Sequence, residues 1–217
     1  MNRKTNNNIL VPTDFSDVAE CALQHAIKVA QAYKNEITLL FIFEEGILGG
    51  LFSGSQSDVM KDAIGTKLQL KADEITKASG IKTSYRIGKG KVYKAISEIA
   101  NEEHFDSIIM GSHGASGLEQ IVGSNASRTI QYAEVPVVVV KNSNIGGKGY
   151  SKIVMPIDLT IETRQKVDWA IHLAKKFDSE IHVVYSKSSD EYLDRKIQNN
   201  IAQVEYDLKA KNVKYQI

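Results

Sequence analysis

The sequence contains a single cysteine, Cys21, so it can hold no internal disulfide framework and suits a reducing compartment. It has no excess of charge of either sign: 27 Lys and Arg stand against 26 Asp and Glu, a formal net charge of +1. The lysines are scattered without a long basic block, which removes the usual electrostatic basis for binding nucleic acid. No apolar run approaches the roughly 20 residues needed to span a bilayer. The polar stretch 1–8 lacks the apolar core of a signal peptide. With no membrane association expected, the cytoplasm is the expected compartment. Several motifs are also missing. There is no G-x-x-x-x-G-K-[ST] loop, no G-x-G-x-x-G after the first strand, and no G-x-S-x-G elbow. Ser112 and Ser116 therefore lack the setting of a hydrolytic nucleophile. His25, His104, His172 and His182 show no metal-ligand spacing with one another or with Cys21.

What is present is an ordinary globular composition, 42% hydrophobic and 24% charged. Ile9–Pro12 reads as a short buried strand. Ser16 or Asp17 can cap the next helix, and Asp17 with Glu20 has capping-box spacing. Ala19, Ala22, Leu23, Ala26, Ile27 and Ala30 then recur at helical spacing up to Tyr33. Glu36–Phe43 is a second strand, apolar almost throughout, as expected of a parallel sheet covered on both faces. A Gly- and Ser-rich loop, 44–57, leads to a long helix that stops at Gly80. Lys82–Ile87 is a third strand nearer an edge, with Gly88–Gly90 as a turn. A third helix is marked by Val92, Ile96, Ile99 and Ala100. Asp106–Met110, Asn125–Ala133 and Val135–Val140 complete the series as strand, helix and strand, with Pro136 placing the last at a strand start or an edge. The alternation βαβαβαβαβ predicts a doubly wound parallel α/β sheet with right-handed crossovers. Ligands of such sheets sit beyond the strand C-termini where the strand order reverses. If the first and fourth strands are neighbours, Asp14 and the segment after Met110 both border that crevice.

That segment is Met110-Gly-Ser-His-Gly-Ala-Ser-Gly-Leu-Glu-Gln-Ile-Val-Gly-Ser-Asn125. Glycines can take positive φ and allow backbone to approach a ligand without a Cβ in the way. A glycine loop running from a strand into a helix start presents N–H groups to an anion, with the helix dipole behind them. The physical reading is a phosphate cradle. Ser124 can serve as helix N-cap, as phosphate contact, or as both. Asp14 can stabilise the strand-to-helix turn or face a ligand. His113 has no carboxylate partner at a telling spacing, and no catalytic residue is assigned.

After a polar, Gly-rich linker, 141–149, the chain begins again. Ile153-Val-Met-Pro-Ile-Asp-Leu-Thr160 repeats Ile9-Leu-Val-Pro-Thr-Asp-Phe-Ser16 at an offset of 153 − 9 = 144, and the register holds into the second strand. This is an internal duplication. The second copy offers a strand, a helix carrying Trp169 as an expected packing residue, a strand, the helix 189–210 and the start of a third strand. Nothing in it corresponds to the glycine loop. Three strands and two helices leave apolar sheet and an unpaired edge, so the expectation is a truncated tandem chain.

Together these features resemble the universal stress protein family. The V-P-T-D-F-S opening, M-G-S-H-G-A-S-G and the G-S-N before V-P-V-V-V-V form a specific set. Gly111, Gly114, Gly123 and Ser124 fill that family's signature G-x2-G-x9-G-[ST], except that eight residues rather than nine separate Gly114 from Gly123. The resemblance implies a five-stranded, Rossmann-like sheet of the adenine nucleotide alpha hydrolase kind over 1–142, and an incomplete second repeat over 150–217. It implies a site for ATP, with Mg2+ or Mn2+ as accompanying ion and no protein metal ligand assigned. Pro12 and Asp14 would face the adenine and ribose, and Ile42 would line the base pocket. Met110, Gly111, His113 and Gly114 would wrap the ribose and first phosphates. Gly123, Ser124, Asn125 and Ala126 would hold the terminal phosphates. It also implies a homodimer through Val135–Val140. Three functions stand open: a stress-response regulatory module that binds adenine nucleotide, a slow ATP hydrolase on the same fold, and a dimerisation module without nucleotide. The glycine loop favours the first two, the missing general base favours the first over the second, and the shortened loop keeps the third open.

Overall fold

The computed structural model describes residues 6–44, 55–113, 122–141, 149–160 and 163–217, with backbone only for 55–57 and 163–165. The chain divides into two compact units, Met1–Asn144 and Ile145–Ile217. In the first unit, β1 (Asn8–Pro12), β2 (Glu36–Phe43), β3 (Thr83–Lys89), β4 (Ser107–Gly111) and β5 (Val137–Val140) pair in parallel in the order β3-β2-β1-β4-β5. The connecting helices are α1 (Asp17–Tyr33), α2 (Ser55–Ser79), α3 (Val92–Glu102) and α4 (Ser124–Tyr132). The chain builds outward from β1 through β2 to β3, then crosses back to place β4 and β5 on the other side of β1. The order therefore reverses between β1 and β4, which pair as Ile9↔Ser107 and Leu10↔Ile108. A crevice opens beyond the C-terminal ends of these two strands.

Period-two alternation sends the central strands' apolar residues to both faces. Ile9, Val11, Ile37 and Leu39 join Ala22, Leu23, Ala26 and Ala30 of α1 and Leu68, Ala72 and Ile75 of α2 in one core. Leu10, Leu40 and Ile108 join Ile96 and Ala100 of α3 and Ala126 of α4 in the other. Leu10 and Leu40 are fully buried, and truncating such a leucine to alanine typically costs about 2–5 kcal/mol. The alanines of α1 let that helix lie close on the sheet.

The N-cap of α1 is Ser16, whose Oγ accepts the Ala19 N–H at 3.3 Å. Asp17 is thus the first helical residue, and the expected Asp17–Glu20 capping box does not form. Gly80 ends α2 as expected. The turn expected over Gly88–Gly90 is confined to Gly90. Gly88 and Lys89 remain in β3, paired with Ile42 and Phe43, and the chain turns at Gly90. A Cβ on Gly88 would stand 2.5 Å from Ile42 Cδ1, so this glycine makes room for a neighbouring side chain instead of bending the chain.

The second unit contains β6 (Lys152–Ile157), α5 (Thr163–Phe177), β7 (Glu180–Tyr185), α6 (Glu191–Ala210) and β8 (Tyr215–Gln216), with parallel strands in the order β6-β7-β8. Lys152 pairs with Glu180 as Asn8 pairs with Glu36, both shifted by 144 (152 − 8 and 180 − 36). Its core gathers Met155, Ile157, Ile181 and Val183 under Val167, Ala170, Ile171 and Ala174 of α5 and Ile197, Ile201, Val204 and Leu208 of α6. On the opposite face Val154 is 67% exposed and Val184 45%, where their counterparts Leu10 and Leu40 are 0% exposed. Trp169 does not pack as expected: it is 54% exposed and meets the His172 ring edge-on. Among the described residues no helix is long and apolar enough to cross a membrane.

Candidate functional site

The crevice of the first unit is a cavity of about 510 Å³, inside the size range of small-molecule sites. Pro12 closes β1, and the Thr13 N–H still donates to Leu40 O at 2.9 Å, so the strand is anchored up to the cavity. The chain then turns sharply. Asp14 Oδ1 accepts the Ser16 N–H at 3.0 Å, Thr13 Oγ1 accepts the Phe15 N–H at 3.0 Å, and Phe15 sits at φ 63°. This left-handed conformation is uncommon for a bulky residue and is held by both side-chain bonds. Asp14 therefore shapes the turn and lines the cavity at once.

The apolar wall comes from Leu40 and Ile42 at the end of β2, Val92 and Ile96 of α3, and Met110 of β4. Gly111 follows in β4. A Cβ there would meet Val18 Cγ1 at 2.9 Å and the Val18 carbonyl carbon at 3.3 Å. Gly111 is not among the residues at positive φ. Its missing side chain thus lets the first turn of α1 lie against β4. Gly111 lines the cavity as well, so its bare Cα serves this packing whatever else it faces.

The next segment is tied at both ends. The buried Ser112 donates its N–H to Val140 O at 2.7 Å, and its own carbonyl accepts the Gly123 N–H at 2.7 Å. Ser112 Oγ lies 2.9 Å from His113 Nδ1, which orients the imidazole at the cavity edge. Gly114, the second signature glycine, lies outside the described residues, as does the position where the signature is one residue short.

The N-cap of α4 is Gly123, at φ −62° and ψ 159°, with no side-chain cap bond. Ser124 is the first helical residue and not the expected cap, because the Gly123 carbonyl already accepts the first helical bond, from the Ser127 N–H at 3.0 Å. Ser124, Asn125 and Ala126 all line the cavity. Their N–H groups belong to the first helical turn, whose donors have no partner within the helix. Gly123 has no side-chain oxygen to cap them. An uncapped helix terminus opening into a cavity is a ready anion acceptor.

Ten of the eleven sequence-derived site residues thus line one cavity: Pro12, Asp14, Ile42, Met110, Gly111, His113, Gly123, Ser124, Asn125 and Ala126. Thr13, Phe41 and Glu44 also line it and were not expected. Glu44 is the first charged residue after the apolar run of β2, which was the signal available for it. Asp14 and Glu44 give the described lining two carboxylates, with no lysine or arginine. Among the described residues no three His, Cys, Asp or Glu gather as a metal site.

The fold and crevice define an open, doubly wound α/β domain with a helix terminus that lacks a side-chain cap at its topological switch point. Residues 5–141 match the model of the universal stress protein family. The chain belongs to that family. Universal stress protein MJ0577 of Methanocaldococcus jannaschii is 32% identical over 154 residues, covering 63% of this chain and 95% of that protein. A universal stress protein structure from Archaeoglobus fulgidus shares the fold over 96% of this chain and 74% of its own, with a TM-score of 0.76 and 20% identity. A universal stress protein solved in complex with cAMP covers 63% of this chain and 97% of its own, with a TM-score of 0.50 and 24% identity.

Proposed function

We propose that the first unit binds an adenine nucleotide in the crevice between β1 and β4, and that the protein acts as a stress-response regulatory module whose state reports that ligand. One observation carries the reading. Residues from the β1 turn, the end of β2, the end of β4 and the start of α4 line a single cavity into which an uncapped helix terminus opens. In this reading the base lies against Leu40, Ile42, Val92, Ile96 and Met110. Asp14 accepts hydrogen bonds from ribose hydroxyls, and the N–H groups of Ser124, Asn125 and Ala126 hold phosphate oxygens. The relative solved with cAMP supports an adenine ligand on this fold. With ATP, a Mg2+ or Mn2+ ion would be held mainly by the phosphates. The lining shows no side chain assigned to activate water, so turnover is not the main activity in this reading. The 150–217 segment is read as part of a second repeat in which no glycine loop occurs, and the protein as cytoplasmic.

The same reading includes a homodimer through Val135–Val140. Among the described residues β5 pairs only with β4, and a strand edge of this kind is a template for pairing with another chain; Val138 on it is 37% exposed. Calorimetric titration of the full chain with ATP, AMP and cAMP, with and without Mg2+, tests the ligand. Asp14→Asn keeps an oxygen acceptor for the turn and removes the charge, and is expected to weaken binding about tenfold. No binding of any of the three at millimolar concentration would reject the reading and leave dimerisation as the function.

A further inference from the structure

A second cavity of about 330 Å³ lies on the other face of the first unit's sheet, between α1 and α2. Its floor is apolar and rigid: Val11 is 0% exposed, Leu39 1% and Leu23 5%. Its rim is otherwise polar, with two apolar side chains, Phe15 and Leu70, the latter 65% exposed. The rim charges are not equivalent. Lys71 lies 3.2 Å from Glu20 and 3.5 Å from Glu74, so its ammonium is held between two carboxylates and is committed to them. Lys67 has no carboxylate partner among the described residues, and its ammonium stands 3.8 Å over the Phe15 ring. Phe15 is presented here by the turn that holds it at φ 63° and stacks on Phe41 with ring centroids 5.6 Å apart. A concave apolar floor with one convergent cation at its edge fits a ligand with an apolar body and a single negative end.

We propose that the groove between α1 and α2 is a second ligand site, separate from the nucleotide crevice. It takes a small amphipathic monocarboxylate, with its aromatic or branched apolar body on Val11, Leu23, Leu39 and Leu70 and its carboxylate on the Lys67 ammonium. The occupant is anionic because, of the two lysines that line the groove, Lys67 has no acidic partner among the described residues. It is small because the volume sits at the lower end of the range for ligand sites. The groove is also placed to communicate. Thr13 lines both cavities, Asp14 lines the first and Phe15 the second.

The test is a titration of the isotopically labelled full chain with 4-phenylbutyrate, without nucleotide, followed by two-dimensional amide NMR. Saturable shifts centred on Val11, Phe15, Leu23, Leu39 and Leu70 are expected. Lys67→Gln, at an exposed position that does not threaten folding, should weaken binding about fivefold, the upper value for a rim ion pair. The neutral analogue 4-phenylbutanol should bind the unmodified chain as weakly as 4-phenylbutyrate binds that variant. Leu70→Glu, also exposed, should abolish saturation by placing a like charge beside the carboxylate. Shifts that fail to saturate, that scatter over the surface, or that are unmoved by Lys67→Gln would overturn the proposal. The assay contains no nucleotide, so its failure leaves the reading of the crevice intact.

Discussion

Gly111→Ala separates two explanations of the signature's first glycine. If Gly111 only clears space for a ligand, alanine should abolish binding and leave stability unchanged or slightly improved. Replacing a glycine at ordinary φ stabilises by about 0.4–1 kcal/mol through the unfolded chain. The structure gives a different result. The new Cβ would lie 2.9 Å from Val18 Cγ1 and 3.3 Å from both the Val18 carbonyl carbon and His113 O. The methyl of Val18 can rotate away only into a closed core, since that side chain is 6% exposed, and the backbone contacts cannot rotate at all. Overpacking of this kind costs about 1–3 kcal/mol, which exceeds the unfolded-state gain. Gly111→Ala should therefore destabilise the chain by about 1–2 kcal/mol. Val18→Ala alone should cost about 2 kcal/mol through lost burial and a cavity. In the double variant the closest clash is gone, so the two costs should fall short of additive by about 1 kcal/mol. Urea denaturation of the four proteins, with far-ultraviolet circular dichroism as the signal, measures the cycle. Additive costs, or a stable Gly111→Ala protein that has lost only nucleotide binding, would refute the packing argument.

Adenine nucleotides should show an affinity for the crevice that depends on phosphate count and metal. With Asp14 and Glu44 in the lining and no lysine or arginine, chelating Mg2+ should weaken ATP more than AMP, and Glu44→Gln should recover part of the ATP loss; calorimetry with and without chelator checks both. Phe15→Gly should be more stable than Phe15→Ala by about 1 kcal/mol, because both lose the Phe41 stack but only alanine keeps the strained φ of 63°; equal stability in urea would reject the strain. Val138→Lys should weaken self-association in light scattering more than a lysine placed at exposed Gln69 of α2, and a strictly monomeric mass of the unmodified chain at micromolar concentration would reject the dimer. Any ATP hydrolysis should be well below about one turnover per second, and a faster rate lost on changing His113 would assign that side chain a catalytic role.

The sheet was legible where burial dictates sequence. Ile9, Leu10 and Val11 are apolar in succession because both sheet faces are covered, and the structure buries all three completely. The duplication was legible because the offset of 144 survives in the strand register itself. Strand order was not legible, since the pairing of β1 with β4 joins segments about 100 residues apart through tertiary packing. Val92 and Ile96 belong to the cavity only once that order is known, so their spacing announced a buried helix face and nothing more. The punctuation was misread in two places for one reason. Gly88 looked like a turn and Ser124 like a cap because those residue types favour such positions in isolation. Here the Ile42 side chain decided the first, and the bond from the Ser127 N–H to the Gly123 carbonyl decided the second.

The two units make different use of the same aspartate. Asp158, the counterpart of Asp14, accepts from the Thr160 N–H at 3.0 Å, the same turn that Asp14 makes with Ser16. Its second oxygen, however, lies 3.1 Å from the Lys166 ammonium. At the matching position of the first unit, 166 − 144 = 22, stands Ala22, which is fully buried and supplies no charge. A carboxylate committed to a cation is a poor acceptor for a sugar hydroxyl, because binding would have to give up the ion pair or share it. The local turn has thus been kept in both copies for its backbone geometry, while the surroundings of the carboxylate have diverged. The turn explains why both copies retain the aspartate, and the ion pair with Lys166 is an addition of the second copy that position 22 of the first does not reproduce.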